Sequence, residues 1–377
     1  MRNKLLSLFK LLFLLSISCN TVFCQNRNIK ISCVDSKNAY SKKLFLLPKF
    51  DMKYYSNHLK QDTAALTGRQ FEFNIHNEKD DFPRPYRLSL EVQEDKTYLL
   101  TESFYFENKP KNIIFDSENG KIIDPSESTA LREETFSYEK YMDTIITQKK
   151  KLDCIKFDSY KNNSFRFIKD SLHIKYDSLK LNEQRLLLNY SRLHPNSAVL
   201  FWKIVELTET NGYDKKYEKI FNHLSKKIKA SAPAKVLQKQ FAILKQLNIG
   251  NRFTFKIKNR NITVSKRFTL IDFWFSHCKP CLEQIPKYKH IYEKYRSKGF
   301  GIIAISTDKT TDTDDWKKVI HNNNLTWPQF LDENGTESKK HNITAFPTTF
   351  LLDSEGIILR KNISPEELEK FCEQNMN

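Results

Sequence analysis

The chain has 377 residues, 39% hydrophobic and 13% aromatic, which is enough for two or three domains with real cores. Its formal charge of +17 is carried mostly by lysine, and no basic block interleaved with glycine or aromatic residues stands out, which sets nucleic acid aside as a partner. Seven cysteines are present, and the five beyond position 25 are an odd number, which argues against a dense disulfide framework.

The N-terminus has the pattern of a targeting segment. Arg2 and Lys4 form a basic start, Leu5 to Ser18 is mostly apolar, and Val22-Phe23-Cys24 precedes a cut before Gln25. Residues 1–24 are therefore expected to be a signal peptide, and the mature protein is expected in the cell envelope, in the periplasm. The alternative is a lipid tether on Cys19, after Ser16-Ile17-Ser18, which would anchor the chain to a membrane. No later segment is long and apolar enough to span a bilayer.

Residues 25–125 read as a β-rich domain. Asn28 to Val34, Gln70 to Ile75 and Arg87 to Val92 alternate in polarity, and turn signals such as Asn119-Gly120 separate the runs, which suggests a small sandwich. Residues 126–247 change texture. Apolar residues recur three and four apart, as in Leu186, Tyr190 and Leu193, then Leu200, Ile204 and Leu207, so several amphipathic helices are expected. His194-Pro195-Asn196-Ser197 breaks two of them, with Asn196 or Ser197 as N-cap.

Residues 248–377 alternate strands and helices. Phe253–Ile257 and Ile262–Ser265 flank a hairpin turn at Asn259-Arg260-Asn261. Thr269–Phe275 and Gly301–Ser306 are buried strands, and Cys281–Arg296 and Asp314–Asn322 are helices. Thr348–Leu352 and Ile357–Arg360 are strands, and Pro365–Gln374 is a closing helix capped by Ser364. The order gives an α/β sheet covered on both faces.

The chemistry centres on Cys278-Lys279-Pro280-Cys281, at the end of the apolar run Leu270 to Phe275 and the start of a helix. Two cysteines three apart can form and break a disulfide within one turn, and a helix N-terminus favours the thiolate. Cys278, nearest the helix start, is expected to be the more exposed and to be the nucleophile; Cys281 is expected deeper, resolving the mixed disulfide. His277 and Lys279 add positive charge, and Pro280 suits a first turn where its missing N–H is not needed. Asp272 lies on the strand beneath, between apolar neighbours. Buried there, its pKa would rise and it could take the proton of Cys281.

The last 125 or so residues resemble the thioredoxin-like family, on the strand and motif Asp272 to Cys281, on Pro286 within the helix, and on Ala345-Phe346-Pro347-Thr348 with the strand after it. The stretch Gly301 to Asp308 is similar to the extracytoplasmic TlpA/ResA-like subgroup. The resemblance implies a thioredoxin fold, a mixed sheet flanked by helices, and no cofactor beyond a redox-active Cys278–Cys281 disulfide, with no metal. It implies a cis Pro347 facing Cys278, which leaves the Phe346 backbone free for an extended substrate and keeps a metal from settling between the cysteines. Phe346, His277, Lys279 and Pro280 form the candidate substrate-binding set, with Trp274 expected mainly to pack beneath them. One departure is Gln284, where the subgroup often has a glutamate; Glu283 points from another helix face. Asp272 is thus the better proton acceptor.

The function this implies is an extracytoplasmic protein-disulfide oxidoreductase, acting as a reductase on protein thiols and disulfides, fed by a membrane or envelope electron donor and fitting a role such as cytochrome maturation. A peroxidase would need serine or threonine where Phe275 stands, and a zinc module would need a second ligand pair. The alternative is a non-catalytic envelope binding or scaffold protein that carries a thioredoxin domain behind its large front half.

Overall fold

The computed structural model describes residues 28–37, 43–55, 62–67, 70–76, 80–91 and 98–376. The expected signal peptide, with Cys19 and Cys24, lies outside the described residues. The chain divides into two compact units, one holding the front of the chain to Leu179 with Asn196–Trp202 and Lys226–Pro233, the other holding Lys180–Pro195, Lys203–Ser225 and everything from Ala234.

Among the described residues the front unit begins with ten strands: β1 (Asn28–Asp35), β2 (Leu44–Pro48), β3 (Asp62–Thr63), β4 (Ala65–Thr67), β5 (Gln70–His76), β6 (Arg84–Glu91), β7 (Tyr98–Leu100), β8 (Phe104–Phe106), β9 (Lys111–Phe115) and β10 (Ile122–Asp124). They form two sheets, in the order β10-β9-β1-β5-β4 and β3-β2-β6-β7, with β8 also on β6. β1 runs antiparallel to β5 and parallel to β9, with Ile31 opposite Phe73 and Lys111. Along β9, Lys111, Ile113 and Phe115 are buried and Asn112 and Ile114 exposed, the period-2 pattern of a half-buried strand. Buried Lys111 is satisfied by the Ser126 carbonyl, which its Nζ reaches at 2.7 Å.

Six helices follow: α1 (Thr129–Lys161), α2 (Phe165–Leu193), α3 (Ala198–Asn211), α4 (Lys215–His223), α5 (Lys226–Ala230) and α6 (Ala232–Gln246). Ser128 caps α1, its side chain accepting the Leu131 N–H. The buried positions of α1 are Leu131, Tyr138, Met142, Ile145, Leu152 and Ser159, a narrow stripe spaced in threes, fours and sevens. Ser197 Oγ accepts the Leu200 N–H at 2.9 Å, so of the two candidate caps at that break the serine does the capping.

In the second unit come β11 (Lys256–Ile257), β12 (Arg260–Asn261), β13 (Phe268–Trp274), α7 (Lys279–Tyr295), β14 (Phe300–Ser306), α8 (Thr313–Asn322), β15 (Gln329–Leu331), α9 (Thr336–Lys340), β16 (Thr348–Asp353), β17 (Ile358–Lys361) and α10 (Pro365–Asn375). The hairpin before β13 is tighter than its sequence suggests. β11 and β12 pair directly, and the turn is Lys258-Asn259, both at positive φ, so Arg260 and Asn261 belong to the strand. A two-residue hairpin loop needs that conformation at both positions, and asparagine tolerates it well.

The main sheet has the order β15-β14-β13-β16-β17, with β13 parallel to β14 and antiparallel to β16. β13 is central and flanked on both faces, which is why six of its seven residues are buried without alternation in polarity. One face gathers Leu270, Trp274, Ile302, Ala304 and Leu351 with Ile285, Tyr288 and Ile291 of α7 and Leu368 of α10. The other gathers Ile271, Phe273, Ile303, Ile305 and Phe350 with Phe253, Phe255 and Ile343. Ser364 and Glu367 form a complete capping box at the start of α10, with Pro365 in its first turn.

Candidate active site

Cys278 and Cys281 form a disulfide at the start of α7. Cys278 is the N-cap of the helix, in extended conformation, and its Sγ accepts the Cys281 N–H at 3.3 Å. The Cys278 N–H in turn donates to the Phe275 carbonyl at 3.0 Å, which closes the short turn between β13 and α7. Pro280 occupies the first turn and Pro286 lies inside the helix.

The two cysteines are equally buried, each 4% exposed, so the expectation of a more exposed Cys278 is corrected. In the disulfide the Cys278 sulfur turns inward to reach its partner and the helix start. Phe275 and Phe346 pack against the same cluster, their rings edge to face at 5.5 Å. The Phe346-Pro347 bond is cis, and both residues are half-buried. Trp274 is buried in the cluster that holds both cysteines, in a packing position.

His277, Lys279 and Pro280 are exposed around the pair. His277 Nε2 lies 3.3 Å from Asp315 Oδ2 at the first turn of α8, so the positive charge expected near Cys278 meets a carboxylate. Lys318 and His277 together hold Asp315 below the usual carboxylate range.

Asp272 sits on β13 opposite Ala304 of β14 and Thr349 of β16. By strand alternation it shares the face of Leu270 and Trp274, the face that α7 covers. It is buried, its Oδ1 has no hydrogen-bond partner, and burial pushes its carboxyl up to about 7. A group with that pKa exchanges protons near neutral pH. Tyr288, one face of α7 above it, feels the Asp272 charge and hydrogen-bonds through its hydroxyl to Gln284 Oε1 at 2.9 Å.

Sequence reasoning missed Asp308. This buried residue, just beyond β14, accepts the Ser276 N–H at 3.0 Å, the Ser276 hydroxyl at 2.6 Å and the Ser306 hydroxyl at 2.5 Å. It ties the loop that leads to Cys278 to the end of the neighbouring strand. The signal was there in Ser306-Thr307-Asp308, polar residues directly after a run of buried apolar ones. Among the described residues no group of three or more His, Cys, Asp or Glu side chains could hold a metal ion, and no helix is long and apolar enough to cross a membrane. Cys33 and Cys372 are buried and unpaired and Cys154 is exposed and unpaired, so Cys33 and Cys154 do not form a bridge.

A central strand that delivers a cysteine pair to a helix start, opposite a cis-proline loop in the same sheet, defines a thioredoxin-like domain. Residues 266–358 match the family model described as thioredoxin-like. Among curated proteins the chain is 30% identical over 107 residues to the thiol-disulfide oxidoreductase ResA of Bacillus thuringiensis subsp. konkukian, covering 28% of this chain and 61% of that one. It is 29% identical over 110 residues to the sporulation thiol-disulfide oxidoreductase A of Bacillus subtilis, covering 28% of this chain and 67% of that one. The match therefore spans about three fifths of the length of the ResA relative. Among solved structures it is similar to the thioredoxin domain of a thiol-disulfide oxidoreductase from Bacteroides vulgatus, with 28% identity and a TM-score of 0.30, over 34% of this chain and 96% of that one.

Proposed function

We propose that the protein is an extracytoplasmic thiol–disulfide oxidoreductase that reduces disulfides of protein substrates through Cys278 and Cys281. The observation that carries this reading is the Cys278–Cys281 pair at the α7 N-terminus, above a buried Asp272 whose carboxyl is raised to about 7. The relatives named as thiol-disulfide oxidoreductases support it.

In the reduced protein the Cys278 thiolate attacks one sulfur of a substrate disulfide. The substrate S–S bond breaks, a Cys278–substrate S–S bond forms, and the other substrate sulfur leaves as thiolate to be protonated. Asp272 takes the Cys281 proton, and the Cys281 thiolate attacks Cys278 Sγ. This releases the second substrate thiol and leaves the Cys278–Cys281 disulfide. Two electrons pass from the cysteine pair to the substrate. A membrane or envelope dithiol donor returns them. Phe346, with the open backbone beside Pro347, and the exposed His277, Lys279 and Pro280 form the surface on which an extended substrate segment lies.

The test is the reduction potential of the pair, by equilibration in graded dithiothreitol or glutathione buffers. A value near about −270 mV supports a reductase, and a value toward about −120 mV reverses the direction to an oxidant. Absence of any two-electron transition would overturn the catalytic reading.

A further inference from the structure

Residues 149–175 are the ends of α1 and α2, which meet at Asn162–Ser164. Tyr176 Oη donates to Asp153 Oδ1 at 2.6 Å, and Tyr160 stacks on Phe165 across the turn at 4.2 Å. Of the residues from 149 to 175, Leu152, Ser159 and Leu172 are buried. The outer surface carries large apolar side chains in water: Phe157 is 59% exposed, Tyr160 53%, Phe167 74% and Ile174 71%. Their burial elsewhere would be favourable, and nothing in the hairpin supplies it.

The same stretch holds eight lysine and arginine residues against three aspartates. Cations lie beside the exposed rings on both helix ends, with Lys161 Nζ 4.6 Å from the Phe157 ring on the first and Arg166 Cζ 4.6 Å from the Phe167 ring on the second. This corrects the sequence reading that no basic block interleaved with aromatic residues stands out. The cations and rings run through one stretch, residues 149–169, on either side of the turn at Asn162–Ser164.

We propose that this hairpin tip docks on an anionic phospholipid surface. Aromatic and aliphatic side chains exposed among lysines and arginines are the chemistry that a membrane interface accepts, with rings at headgroup depth and cations against lipid phosphates. The excess of basic residues argues for an anionic lipid over a neutral one, and for lipid over a basic partner.

The experiment is co-sedimentation of the chain from Gln25 onward, the form expected after signal-peptide removal, with vesicles of phosphatidylcholine alone or mixed with phosphatidylglycerol. Wild type is expected to bind the mixed vesicles and not the neutral ones, and to be released by high salt. Lys156→Glu with Lys169→Glu should weaken binding about tenfold or more. Phe157→Ser with Phe167→Ser should do so by a similar factor. All four residues are exposed, so unchanged circular dichroism and thermal melting show that loss is not unfolding. Equal binding to neutral vesicles, no binding, or binding untouched by both double variants overturns the proposal. So does a halved mass of the Phe157→Ser/Phe167→Ser variant in sedimentation equilibrium without lipid, which would assign the surface to a second copy, and so does capture of a single-stranded oligonucleotide in place of vesicles.

Discussion

Asp308 holds Ser276 by both its N–H, at 3.0 Å, and its hydroxyl, at 2.6 Å, two residues ahead of Cys278. The pair is buried, and the same carboxylate also takes the Ser306 hydroxyl. The position of the nucleophile is thus set partly by a strand that contributes no cysteine.

Asp308→Ala leaves three donors in the interior without an acceptor. At about 1–3 kcal/mol for each, the loss should be on the order of 3 kcal/mol or more. Urea denaturation of the oxidised protein measures it. Asp308→Asn keeps the volume and should lose less. If Asp308 positions the loop as well as stabilising it, the pH dependence of Cys278 alkylation in the reduced Asp308→Asn protein should also move. An unchanged profile would leave it a purely structural residue.

The carboxyl of Asp272 is raised to about 7 by burial. Its unfolded value is about 3.9. Between those values the folded state keeps a proton that the unfolded state has released, so stability falls as pH rises from about 4 to about 7 and levels off above. Asp272→Asn cannot ionise and should flatten this dependence. Relative to wild type it should gain, at pH 8 over pH 4, on the order of a few kcal/mol. The same variant should slow resolution of the mixed disulfide by about a hundredfold, seen in single-turnover reduction of a protein disulfide. A variant that turns over at the wild-type rate would remove Asp272 from the proton path.

Cys281→Ser should accumulate a covalent complex with a disulfide-containing protein, visible on non-reducing gels, because the first S–S exchange still occurs and the second cannot. Cys278→Ser should give none and lose turnover. Trapping by Cys278→Ser and not by Cys281→Ser would reverse the assigned roles.

Three further cysteines differ in access. Burial raises the Cys33 thiol, and burial chiefly, with Glu369 nearby, pushes Cys372 up to about 12, while Cys154 is exposed. In the oxidised, folded protein iodoacetamide should modify Cys154 and leave Cys33 and Cys372 until denaturant is added, as peptide mass spectrometry would show.

What could be read from residues alone depended on how local the cause was. β13 announces itself as an unbroken apolar run, and α10 by Ser364, Pro365 and Glu367 at fixed offsets. The front sheets were readable only as strands. β1 pairs with β9 some eighty residues away, and in parallel, a partner that no nearby turn specifies. α5 is too short to show a period, and its residues gave no helix signal of their own. At the site, Asp272 was legible because it interrupts an apolar strand. Asp308 was not, because a single aspartate after a strand looks like any loop residue until Ser276 is placed beside it.

The atom that reacts is also the atom that caps a helix. Cys278 Sγ receives the Cys281 N–H, so the first turn of α7 is held by a sulfur whose electron richness changes during the cycle. A thiolate is the strongest acceptor of the three forms, a disulfide sulfur a weaker one. The cap is therefore strongest when the protein carries two extra electrons and weaker once the sulfur is in a disulfide, where the covalent bond to Cys281 holds the turn instead. Electron load is thereby written into what holds the first turn of the helix, a hydrogen bond to an electron-rich sulfur in the reduced protein and a covalent bridge in the oxidised one.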